Sequence, residues 1–101
     1  MQRKTRVLIR AAKYLEKEAR EYVEAAKEQA ENRIEFGRKA GVMFGTAYAI
    51  REMAATGYAP NSTAEKDAGM AELNHYRKHV ERREKQRRDA AEPRSEQGEK
   101  K

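Results

Sequence analysis

The sequence predicts an all-α protein of three helices arranged as a hairpin or small bundle, and three observations predict it. Small and apolar residues recur at alternating steps of four and three from Leu8 to Ala26, the spacing that keeps a seam on one helix face. A second segment carries glycines four residues apart within an apolar cluster. Turn-forming residues at 56–62 then separate these segments from a third periodic stretch.

The first helix is expected over Thr5–Phe36, roughly 45 Å of helix. Its seam is Leu8, Ala12, Leu15, Ala19, Tyr22 and Ala26, with Glu, Lys and Arg on the other faces. After Ala26 the seam meets Gln29 and Arg33, and the apolar pattern shifts to Ala30 and Ile34. That shift is a local stutter in the heptads.

The second segment, FGRKAGVMFGTAYA at 36–49, sets Gly37, Gly41, Gly45 and Ala49 on one stripe. A glycine inside a helix costs about 1 kcal/mol relative to alanine, so three on one face need contacts that offset the cost. Ala12, Ala19 and Ala26 recur every seven residues on the first helix, so both helices offer small side chains where backbones can approach, as rows of small residues allow. The competing reading makes Gly37 the cap that ends the first helix, with Gly41 and Gly45 marking a kink. Val42, Met43, Phe44, Tyr48, Ile50 and Met53 around the glycines are the densest apolar cluster in the chain, which favours close packing. Gly37, Gly41, Gly45, Ala49, Phe44 and Tyr48 are therefore the candidate surface for a protein partner.

The third helix is expected after the turn Thr56-Gly57-Tyr58-Ala59-Pro60-Asn61-Ser62, with Ser62 and Glu65 at capping-box spacing. Ala64, Ala68 and Ala71 mark one side of it, and Gly69, Leu73, Tyr76 and Val80 another. Beyond Val80 there is no large apolar residue. The expected organisation is one helical domain over 1–89 and a disordered charged tail over 90–101.

Composition limits what this fold can hold. A chain of 101 residues is one domain with room for a modest core. Ala supplies 17 residues, while Leu, Ile, Val and Phe together number 12, below the level expected of a well-packed charged chain. Such a thin core is often completed by another chain, so a homo-oligomer is one expectation. The absence of Cys removes disulfides, thiol catalysis and iron–sulfur sites, and fits a cytoplasmic location. The longest apolar run, 40–50, falls short of the ~20 residues that span a bilayer, so no transmembrane span is expected.

Charge is distributed in poles. Residues 1–13 carry five basic side chains and no acid, residues 75–88 carry seven basic and two acidic, and residues 14–36 carry four basic and seven acidic. In the third helix Arg77, Lys78, Arg82, Arg83, Lys85, Arg87 and Arg88 lie toward the end where a helix dipole welcomes cations. Arg3, Lys4, Arg6 and Arg10 sit at the start of the first helix, where the dipole opposes them. A placement that costs stability points to a partner: phosphate, an anionic membrane surface or an acidic protein patch.

Chemistry-bearing groups are few. Glu72, His75 and His79 share a helix face and include the Glu-x-x-His element of helical di-metal sites. The chain has only two His, so these residues are a weak metal candidate and a solvated or half-buried pair is preferred. No phosphate loop or nucleophile motif can be assembled, and neither an enzyme nor a bound cofactor is expected. The basic poles lack an accompanying base-reading module, which favours phosphate contact over sequence readout. The functional expectation is a small basic helical interaction protein that binds and modulates a larger protein working on DNA or RNA, in the manner of phage or plasmid modulators of host machinery. The alternatives are direct binding of nucleic acid through phosphates, and an accessory subunit of a membrane-associated complex.

Overall fold

The computed structural model describes residues 2–100, with side chains through Ala91. The chain forms α1 (Arg3–Glu28), a short 3₁₀ turn (Ala30–Asn32), α2 (Arg33–Thr56) and α3 (Ser62–Lys100), with no strand among the described residues. The all-helical class with three helices is as expected. The tail expected over 90–101 lies almost wholly outside the residues whose side chains are described.

The first boundary corrects the expectation of one helix over Thr5–Phe36. Gln29 leaves helical geometry at φ −121°, ψ 77°, and its N–H closes α1 on the Ala25 carbonyl at 3.1 Å. The Asn32 N–H then donates to the Gln29 carbonyl at 2.9 Å, and the two side chains join at 3.0 Å. Continuing α1 would have turned Gln29 and Arg33 onto its buried face, so the chain reverses where the seam fails. The shifted seam is not used either, since Ile34 is 85% exposed. Gly37 lies inside α2 and caps nothing.

The second boundary falls in the expected turn. Gly57 takes φ +86°, and its N–H closes α2 on the Met53 carbonyl, the left-handed cap that glycine adopts without a Cβ penalty. The cap of α3 is one residue earlier than the capping-box reading placed it: the Ala64 N–H donates to Asn61 Oδ1 at 2.8 Å. An Asn in this position satisfies an orphan donor of the first turn as well as Ser does.

Helix α2 is central, with α1 antiparallel along one side and α3 antiparallel along another. Ala19 and Val23 of α1, Ala40 and Phe44 of α2, and Leu73 and Val80 of α3 make the core. Leu73 is the one large side chain buried completely among the described residues. Alanine therefore does much of the packing, with Ala12, Ala19 and Ala40 at 0% exposure, and the helices meet closely because little stands between them. At the edge, the Tyr22 and Phe36 rings lie 5.4 Å apart, and Lys39 Nζ sits 5.7 Å from the Tyr22 ring centre. The body measures 63 × 34 × 18 Å with a radius of gyration of 18.2 Å, against about 13 Å for a compact chain of this length.

Candidate interaction surfaces

The glycine stripe is where α3 crosses α2. A Cβ built on Gly69 would fall on the Gly41 carbonyl oxygen and come within 2.9 Å of Gly45 N and 3.0 Å of Gly45 Cα. One built on Gly45 would meet the Glu65 carbonyl oxygen at 2.8 Å. Both sites oppose backbone to backbone and exclude any side chain. Gly41 differs, because its Cβ would find Met70 Sδ at 3.5 Å and Leu73 Cδ2 at 3.6 Å, ordinary contact distances. At Gly37 the space is filled by the Arg77 guanidinium, whose Nη2 lies where a Cβ would stand.

Close packing thus accounts for the stripe, but its partner is α3 of the same chain. Gly37, Gly41, Gly45 and Phe44 are buried, and Tyr48 and Ala49 are half-buried. As a surface for another protein this set is corrected: most of it is interior. Of the heptad alanines of α1, Ala19 packs in the core with Ala40 and Phe44 of α2, and Ala12 and Ala26 are buried as well.

Two polar clamps tie α1 to its neighbours. Arg51 of α2 donates twice to Glu16, from Nε at 2.7 Å and Nη2 at 2.8 Å, and this fork holds the Glu16 carboxyl below its ordinary value against the opposing effect of burial. On α3, Tyr76 Oη donates to Glu24 Oε2 at 2.8 Å, and Arg83 donates to the same oxygen. Burial raises the affinity of Glu24 for a proton, and these two donors more than reverse it, leaving the carboxyl below its ordinary value. Burial first, then the bond to Glu24, pushes the Tyr76 hydroxyl up. Lys27 pairs with Glu84 beside this group, which lowers the Glu84 carboxyl. Sequence reasoning missed these pairs, since 35 residues separate Glu16 from Arg51 and 59 separate Glu24 from Arg83.

The cationic candidates separate into used and unused groups. Arg83 is engaged by Glu24 and Arg77 turns inward over Gly37, so neither belongs to an open basic face. Lys78, Arg82, Lys85, Arg87 and Arg88 are exposed. Arg3, Lys4, Arg6 and Arg10 are exposed as well, in a helix whose first turn holds no acid and whose Gln2 cap makes no side-chain hydrogen bond. Among the described residues none of these nine forms an ion pair. The antiparallel order puts the two groups at opposite ends: the N-terminal cations lie beside the α2–α3 turn, and the α3 cations beside the α1–α2 turn.

A cleft of about 660 Å³ opens at that second end, between the last turn of α1, the first residue of α2 and the middle of α3. Arg33, Arg77 and Arg88 line it together with Glu28 and Glu81, over a floor of Val23 and Val80. Glu72, His75 and His79 are exposed on α3, and they form no group able to hold a metal among the described residues. The Tyr76 and His79 rings lie 5.7 Å apart, tilted by 32°, and the Tyr76 hydroxyl is committed to Glu24, so this ring is a packing element before it is a platform for a base. No helix among the described residues is long and apolar enough to cross a membrane. Comparison with protein-family models, characterised proteins and solved structures finds no match to this chain.

Proposed function

We propose that this is a small, basic, non-enzymatic helical interaction protein that binds and modulates a larger protein acting on DNA or RNA. The observation that carries the reading is the division of charge: Glu16 and Glu24, two of the five acids of α1, are held in intramolecular clamps, whereas nine cations at the two ends are exposed and have no ion partner among the described residues. Cations at the start of α1 oppose its dipole, and an acidic partner surface would remove that cost on binding. Cationic ends of this kind accelerate encounter and set orientation more than they set affinity.

Direct phosphate binding is the second reading. Lys78, Arg82 and Lys85, four and three residues apart, are exposed along one face of α3, a row that fits a polyanion. The discriminating experiment is capture on the tagged full chain from cells of its source, with and without nuclease. A stoichiometric protein retained after nuclease supports the first reading. Capture that vanishes with the nucleic acid overturns it in favour of the second.

A further inference from the structure

We propose that the cleft where α2 begins binds a phosphate group, held chiefly by Arg77 with Arg33 and Arg88. This goes beyond the interaction reading above and does not rest on it. Three observations converge on the cleft. Arg77 is half-buried, yet among the described residues it has neither an ion pair nor a hydrogen-bond acceptor. The clamp residues nearby, in contrast, each hold a partner. Gly37 provides its seat, since any side chain there would occupy the position of the guanidinium.

The second observation is the company Arg77 keeps. Arg33 and Arg88 line the same cleft, and guanidinium groups present planar forks that match phosphate oxygens. Lys27 and Glu84, also on its wall, neutralise each other. What remains is three guanidiniums against Glu28 and Glu81, an excess of positive charge that an anion would balance. The third observation is that Arg33 is the first residue of α2, which sets its side chain at the cleft beside the last turn of α1. Its volume of about 660 Å³ is ample for a phosphate together with the group that carries it, and Val23 and Val80 offer that group an apolar floor.

The experiment is a titration of the full chain with inorganic phosphate at constant ionic strength, followed by the backbone amide resonances of 33–37. A second titration uses a short single strand with and without a terminal phosphate. Wild type, Arg77→Gln, Gly37→Ala and Lys66→Gln, an exposed residue near the start of α3 and away from the cleft, are compared. The expected result is a saturable shift in wild type and in Lys66→Gln, weakened about tenfold or more in Arg77→Gln. Gly37→Ala keeps every charge and favours helix but displaces the guanidinium, so it should weaken binding without lowering the melting temperature. Saturation by inorganic phosphate alone assigns the site to a free phosphate. Saturation that needs the terminally phosphorylated strand assigns it to a polynucleotide end. Shifts that are equal in all four proteins, or that rise linearly with both ligands, overturn the proposal.

Discussion

A single methyl group separates the glycines into two kinds. Gly69 and Gly45 face backbone within 3.0 Å of a built Cβ, so Gly69→Ala should destabilise by roughly 1–3 kcal/mol despite the higher helix propensity of alanine. Gly41 faces the ends of Met70 and Leu73, so Gly41→Ala should be neutral or stabilise by up to about 1 kcal/mol. Thermal melts of the two variants should move in opposite directions, by several degrees for each kcal/mol in a chain of about 100 residues. A Gly69→Ala protein that melts no lower than wild type would contradict the crossing described here. The four-residue spacing made the stripe visible in the sequence, but nothing in it distinguished Gly41 from Gly45. That distinction depends on which atoms α3 brings to each position, and α3 lies far along the chain.

Among the elements, the periodic seams were legible and the reversal was not. Gly69, Leu73, Tyr76 and Val80 do form the inner face of α3 because period alone selects them, and Gly57 ends α2 because only a left-handed residue fits. The break at Gln29 has no Gly or Pro to mark it. It was written as a stutter, which a coiled coil absorbs and a hairpin converts into a turn. The clamps that hold α1 give a test at this scale. Glu16, Glu24 and Glu84 are held below their ordinary values, so the folded chain binds these protons more weakly than the unfolded one. Their stabilisation is fully present above the unfolded carboxylate value of about 4.3 and is lost as pH falls through the lower folded values. Melting temperature should therefore hold steady near neutrality and drop in this acid window. Glu16→Gln should reduce the drop while lowering the plateau by about 1 kcal/mol or less, since Arg51 is 41% exposed and solvent screens the pair. A melting temperature independent of pH down to the acid limit would show that the clamps contribute nothing.

The whole molecule is an elongated body with a core of small residues and charge of one sign at both ends. One fully buried large side chain among the described residues is little for a chain of 101 residues, and the isolated protein is expected to melt broadly at low temperature or to self-associate. Circular dichroism with sedimentation checks this. A sharp two-state melt of a monomer well above about 60 °C would contradict it. Composition foretold the thin core, because 12 large aliphatic and Phe residues cannot fill more. The separation of the basic groups to opposite ends follows from the hairpin and was legible only once the reversal at 29–32 was known.

The measurement that bears most directly on the central claim, that the exposed cations serve a partner and not the fold, is a comparison of wild type with a variant carrying Gln at positions 3, 4, 6 and 10. Both are followed for thermal melting and for capture of the nuclease-resistant partner over a range of salt. Removing cations that oppose the α1 dipole should leave the melting temperature unchanged or slightly raised, by a few tenths of a kcal/mol per charge, while capture weakens and its salt dependence flattens. A variant that melts lower and captures its partner as well as wild type, with the same salt dependence, would show that these cations belong to the fold.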